Sequence, residues 1–85
     1  MPKLYSVYVL RSLSSGKHYV GMAVDVEARL KEHNRGKSRF TKGHIPWELL
    51  YEEKVGVADL ARKREKYLKS ASGKSHLKQL GIIKD

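Results

Sequence analysis

Eighty-five residues suffice for one modest hydrophobic core, read as a single domain over 1–85, and leave no room for a recognition domain beside a catalytic one. Eighteen lysines and arginines against nine aspartates and glutamates give a formal charge of +9, a field that draws polyanions. No stretch approaches the roughly 18 to 20 uninterrupted apolar residues of a membrane span, and the absence of cysteine excludes disulfides, thiolate nucleophiles and zinc-finger ligation. Nucleic acid is therefore the expected partner, with no membrane; without an export signal at the N-terminus the expected compartment is cytoplasmic.

Leu4 to Arg11 is rich in Tyr, Val and Leu and is followed by the turn-forming Ser-Leu-Ser-Ser-Gly. A second β-type run, His18 to Val24, makes the pair a hairpin. Side chains alternate along a strand, so Ser6 and Tyr8 share one face of the first strand, and Tyr19 and Gly21 one face of the second. Pairing Tyr8 with either Tyr19 or Gly21 keeps both phenols on one side. If the partner is Gly21, its missing side chain leaves room beside Tyr8 for a phosphate.

Asp25 suits a helix N-cap, Val26 to Asn34 follows as a helix with Val26 and Leu30 as its apolar stripe, and Gly36 lies beyond its end. Glu27 and Lys31 are spaced to pair on the solvent side. Arg29 and His33 fall on a line about 60° from the stripe, on the shoulder between core and solvent. Gly36 to His44 carries Lys37, Arg39 and Lys42 with one aromatic, Phe40, and reads as a basic surface loop.

Pro46 introduces a third strand, Trp47 to Lys54, in which Trp47, Leu49 and Tyr51 alternate with Glu48, Leu50 and Glu52; Trp47 reads as a core anchor. Val57 to about Ala71 then fits a helix with Val57, Leu60, Ala61, Tyr67, Leu68 and Ala71 as its stripe and Glu65 about 90° from the centre of it. Ser72 and Gly73 end that helix, and a short turn around Leu77 to Leu80 closes the core. The expected architecture is α+β, a small three-stranded antiparallel sheet flanked by helices.

Taken singly, these polar residues have ordinary explanations. A strand tyrosine is usually core, Arg29 a solvated helix charge, Glu65 a surface ion pair among its basic neighbours, and His33 a favourable charge near a helix C-terminus. Their combined order and spacing carry more. Ser6-Val7-Tyr8 and Tyr19-Val20-Gly21, then Arg29 and His33 one turn apart, then Glu65 on a later helix, resemble the GIY-YIG nuclease family, whose name spells the two strand motifs. The resemblance runs from about Leu4 to about Lys69. Asn34-Arg35-Gly36, Pro46-Trp47-Glu48 and Arg64-Glu65-Lys66-Tyr67-Leu68-Lys69 are similar to the small stand-alone bacterial members.

The resemblance implies a metal-dependent endonuclease acting on DNA, with RNA left open, in repair or recombination. It implies Glu65 as ligand of Mg²⁺ or Mn²⁺, Arg29 as phosphate clamp, Tyr8 and Tyr19 as the phenols of which one helps activate water, and His33 as an orienting group. Tyr19 is slightly favoured as the base. Ser6 replaces a usual glycine, Met22 stands where some relatives carry a lysine, and Ala23 and Val24 replace small polar residues.

Lys37, Arg39, Lys42, Arg62, Lys63 and Lys69 would supply backbone contacts, sequence-independent by nature, so shape rather than base sequence would select the substrate. The departures support an alternative, a nucleic-acid-binding module that cuts poorly or only with a protein partner or by self-association. A third reading is a protein-interaction domain for an acidic partner. Gly36-Lys37-Ser38 and Gly73-Lys74-Ser75 are not P-loops, since Lys31 and Leu68 stand where the required glycine would be. The histidines 18, 33, 44 and 76 lack ligand spacing, and Ser14 and Ser15 have no base beside them.

Overall fold

The computed structural model describes residues 2–84. Strand β1 (Tyr5–Ser12) pairs antiparallel with β2 (His18–Ala23) on one side and β3 (Trp47–Gly56) on the other, giving the sheet order β2-β1-β3. Helix α1 (Val26–Asn34) follows β2, and helices α2 (Ala58–Lys69) and α3 (Ala71–Gln79) follow β3. The fold is α+β, a three-stranded antiparallel sheet with three helices, as expected.

Central β1 is buried on both faces, which divides the core in two. Val7 and Val9 meet Ala61 and Leu68 of α2, Leu77 of α3 and Ile83. On the other face Tyr8 and Leu10 meet Val26 of α1 and Trp47, with Tyr19 and Leu30 packed against them. The site residues belong to this second, more aromatic layer. Asp25 caps α1 as its sequence suggests, its carboxylate accepting from the Ala28 N–H at 3.0 Å, and Gly36 takes a positive φ of 76° just past the helix end.

Two elements depart from the sequence expectation. In β3 the register slips between Val9 and Leu10, which pair with Tyr51 and Leu49, so Leu50 is the extra residue of a β-bulge. The bulge breaks the simple alternation: Trp47 faces the α1 side, whereas Leu50 and Tyr51 pack against the α2 side. The last helical region is two helices rather than one helix and a turn. The chain breaks at Ser70, whose side chain accepts from the Gly73 N–H at 3.1 Å, and α3 runs on through Gln79.

Gly73 therefore begins a helix instead of ending one, and its lack of a side chain has a steric cause. A Cβ there would overlap the Tyr67 carbonyl and lie 2.5 Å from the Leu68 Cα. Backbone on backbone cannot yield as a flexible side chain can. In an open helix Gly→Ala would stabilise by about 1 kcal/mol; here Gly73→Ala is expected to destabilise by about 2 to 3 kcal/mol through overpacking. Thermal unfolding should show a midpoint lowered by roughly 10 °C or more, and an unchanged or raised midpoint would refute the contact between α2 and α3.

Candidate active site

The β1–β2 register sets Tyr8 opposite Gly21 and Leu10 opposite Tyr19, so both phenols rise from the face that α1 covers. A Cβ on Gly21 would stand 2.5 Å from the Tyr8 hydroxyl oxygen and 3.0 Å from Tyr19 Cε2. The room beside Gly21 thus belongs to the Tyr8 phenol itself, a correction to the expectation that it is left for a phosphate. The two tyrosine rings lie 6.4 Å apart, and the Tyr19 ring lies 5.0 Å from that of His33.

His33 was expected on the helix shoulder, yet it is 0 % exposed. Burial is tolerable because both ring nitrogens are satisfied: Nε2 lies 3.0 Å from the Tyr8 hydroxyl and Nδ1 2.8 Å from Thr41 Oγ1. In one arrangement Tyr8 donates to Nε2 while Nδ1–H donates to Thr41; in the other the protons run the opposite way. Either needs a neutral imidazole. Burial, helped by the Arg29 charge, holds the His33 pKa below its ordinary value, against the opposing pull of Glu32.

That direction makes stability pH-dependent. The unfolded chain takes up a proton on His33 near pH 6.5 while the fold resists it. The contribution is complete above about pH 6.5 and is lost as pH falls from there towards the lowered folded value. Thermal midpoints measured from pH 7.5 to 5 should decline for the native protein and decline less for His33→Gln. Equal slopes would mean that His33 is not the group being protonated.

Thr41, which the sequence did not single out, is itself fully buried and firmly held. Trp47 Nε1–H donates to its carbonyl at 2.9 Å. The Trp47 backbone N–H donates to Asn34 Oδ1 at 2.6 Å, and Asn34 Nδ2 donates back to the Trp47 carbonyl at 3.1 Å. The end of α1, the basic loop and the start of β3 are thereby tied together behind His33. Asn34 and Trp47 stand in two of the motifs quoted above, and Thr41 is the buried partner that their bracket positions.

Tyr8 is 1 % exposed, and burial pushes its pKa up to about 12, with Tyr19 adding to the rise. The positive charge of Arg29 opposes the rise, while the Glu65 carboxylate reinforces it. Arg29 stands on α1 and Glu65 on α2, helices that pack on opposite faces of the sheet. The Arg29 side chain is 36 % exposed, with Nη1 3.5 Å from Glu32 Oε2. The Glu65 side chain is 19 % exposed, and Lys69 Nζ approaches it to 3.7 Å.

The Glu65 position also corrects the helical wheel. Ala61 and Leu68 are buried on α2, whereas Val57, Leu60 and Tyr67 are exposed. The buried stripe is centred between Ala61 and Leu68, and Glu65 lies about 40° from Ala61 rather than well off to the side. Met22 packs towards the α2 layer, on the face away from the phenols.

Tyr8, Tyr19 and His33 are therefore brought together from β1, β2 and α1, with Arg29 on α1 and Glu65 on α2, on a three-stranded antiparallel sheet. A family model described as the GIY-YIG catalytic domain matches residues 4–79. The chain belongs to the GIY-YIG family, a nuclease superfamily. It is also 38 % identical over 80 residues to the UPF0213 proteins of Staphylococcus aureus strains Mu3, Mu50 and N315, the alignment covering 93 % of this chain and 93 % of each relative.

The residues expected to contact a nucleic-acid backbone form two groups. Lys37, Arg39 and Lys42 are exposed on the loop that Thr41 anchors to His33, and Arg62, Lys63 and Lys69 are exposed along α2. Arg62 is engaged by Asp59 at 3.4 Å and Lys69 by Glu65. Lys17, Lys74 and Lys84, which the sequence reading passed over, rim a cavity of about 550 Å³ that also reaches Tyr19 and Lys69. Their separation in the chain hid them. Among the described residues no helix is long and apolar enough to cross a membrane.

Proposed function

We propose that the protein is a divalent-metal-dependent endonuclease that hydrolyses DNA phosphodiesters, selecting its substrate by shape, in the setting of repair or recombination. The observation that carries this reading is the packing of Tyr8, Tyr19 and His33 into one cluster, with the Tyr8 hydroxyl 3.0 Å from His33 Nε2, Arg29 one turn before His33 on α1 and part-buried Glu65 on α2. A binding surface alone gains nothing from a part-buried carboxylate inside a basic region, because it repels phosphates.

Among the described residues no cluster of three His, Cys, Asp or Glu side chains offers a ready metal cage. A lone carboxylate still fits Mg²⁺ or Mn²⁺, since Mg²⁺ is commonly bound by one or two carboxylates together with substrate phosphates and retained waters. Glu65 would hold the ion once Lys69 yields to it. When bound, the ion supplies charge neutralisation at the phosphoryl oxygens and makes water easier to deprotonate.

The protein's own groups divide the remaining work. Arg29, half-exposed beside the phenols, donates to the non-bridging phosphate oxygens, where charge grows in the transition state. Tyr8, held neutral by burial, serves as a hydrogen-bond donor and fixed wall of the site. Tyr19 is the more exposed phenol and is assigned, in its phenolate form, to the attacking water: it takes the water's proton as the water oxygen bonds to phosphorus and the bond to the leaving oxygen breaks, that oxygen taking a proton from solvent. The exposed basic loop and α2 lysines hold the flanking backbone.

The test is cleavage of end-labelled single-stranded, flapped, branched and plain duplex DNA with Mg²⁺ or Mn²⁺ and with a chelator, beside RNA of the same sequence. Metal-dependent cutting of the branched forms is the expected result. Arg29→Ala should lower cleavage by roughly 10²-fold while weakening binding only a fewfold, since its contact is made chiefly in the transition state. Salt-sensitive binding without cutting by the native protein would replace this proposal with the binding-module reading.

A further inference from the structure

Phe40 is the one phenylalanine of the chain and is 82 % exposed, well beyond the other large apolar side chains at the surface. A single exposed apolar residue normally means nothing. Three features set this one apart. Arg39 precedes it, Lys37 and Lys42 flank it, and no acidic residue occurs between Gly36 and Pro46. The next residue, Thr41, is 0 % exposed and is locked through Oγ1 to His33 Nδ1 and through its carbonyl to Trp47 Nε1. The ring is thus carried by a backbone fixed to the catalytic group, at two hydrogen bonds from Tyr8.

Leaving that ring in water forgoes its burial, which for a phenylalanine is worth roughly 1.5 to 3 kcal/mol. In the same loop Ile45 packs inward against the α1 layer, whereas the Phe40 ring stays outside it. A flat apolar face ringed by cations matches one kind of ligand well: a base whose own phosphates sit on the flanking cations. Bases inside a duplex present only edges, so the matching base is an unpaired one.

We propose that Phe40 is a stacking platform for an unpaired nucleobase next to the scissile phosphate, with Lys37, Arg39 and Lys42 gripping the phosphates on either side. This rests on the nuclease reading and deepens it, by naming the feature that makes the enzyme choose frayed, flapped or branched DNA. A junction offers a loose base to the ring, whereas a closed duplex must first open a base pair. Phe40 acts as a specificity residue and takes no part in bond breaking.

The test uses the full chain with two DNA ligands, a plain duplex and the same duplex carrying a short single-stranded flap with 2-aminopurine at the branch. Binding should quench the 2-aminopurine. Phe40→Ala should lose the quenching and bind the flapped DNA at least about fivefold more weakly, as expected for one lost base–aromatic stack. Its affinity for plain duplex should change less than twofold, and Phe40→Trp should restore both the quench and the preference. Because the side chain is exposed, unchanged thermal midpoints are expected for both variants.

An equal loss on both DNAs, or no loss on either, would overturn the proposal. So would failure of the native protein to quench 2-aminopurine while binding, and an acidic peptide that competes as well as the flapped DNA would identify a protein-docking loop instead. Quenching and flap preference without cleavage in Mg²⁺ would uphold the platform and defeat the nuclease reading. Cleavage of flapped DNA unaffected by Phe40→Ala would do the reverse, and absence of binding to either DNA at low salt would defeat both.

Discussion

Glu65→Gln is expected to abolish cleavage, by roughly 10²- to 10³-fold or more, while DNA binding stays equal or tightens. The two side chains have nearly the same shape, so packing between Ala61 and Leu68 is preserved. The amide is neutral and a poor ligand for a hard cation, which removes the carboxylate proposed to hold the metal. The ion pair that is lost, Lys69 at 3.7 Å, is half-exposed on the lysine side and contributes little to stability. Removing a negative charge from a chain of formal charge +9 can only favour phosphate. The measurements are the single-turnover cleavage rate, DNA affinity and thermal midpoint, in one buffer. A variant that cuts at the native rate would remove Glu65 from the chemistry, and one that binds DNA more weakly would show it positioning the helix lysines instead.

Gly21→Ala is expected to be almost as damaging, through geometry alone. The added methyl would sit 2.5 Å from the Tyr8 hydroxyl oxygen and 3.0 Å from Tyr19 Cε2, so both rings must move. Tyr8 cannot turn aside without breaking its 3.0 Å bond to His33, and the closed interior offers it no alternative rotamer space. Cleavage should fall by about 10²-fold, since misplacement by about 1 Å at a reacting centre costs that much. Stability should fall by about 1 to 3 kcal/mol from overpacking. Near-native cleavage would mean that the phenols are free to shift, contrary to a site locked from behind.

The fold was largely open to reading because its signals are local. Strand alternation in β1 and β2, the Asp25 cap and the Gly36 stop fix three elements within a residue or two, and a hairpin leaves few ways to close a small sheet. What escaped depends on distant partners. The bulge at Leu50 arises from pairing with β1 and has no glycine or proline to announce it. The break at Ser70 reads as helix end or helix start equally well, and the choice is made by Tyr67 and Leu68 packing against Gly73. His33 looked half-exposed on a wheel because its burial depends on Thr41 and Tyr8, eight and twenty-five residues away. The five candidate residues were marked by their order along the chain. The division of labour proposed for them was not, because it rests on exposure and on hydrogen bonds between distant residues.

Tyr8 and His33 fill the hydrophobic layer beneath α1, whereas Arg29 and Glu65 touch solvent and hold no part of the core together. Under the proposed nuclease reading, selection for a well-packed interior and selection for chemistry act on the same atoms in the first pair and on different atoms in the second. On that reading, a descendant that gave up catalysis would be expected to keep the phenol and the imidazole for their volume and hydrogen bonds, and to lose the guanidinium and the carboxylate first. Among relatives of this fold, the residues that best betray a working enzyme are then the two at the rim, and the tyrosine that helps name the family is by itself a record of ancestry.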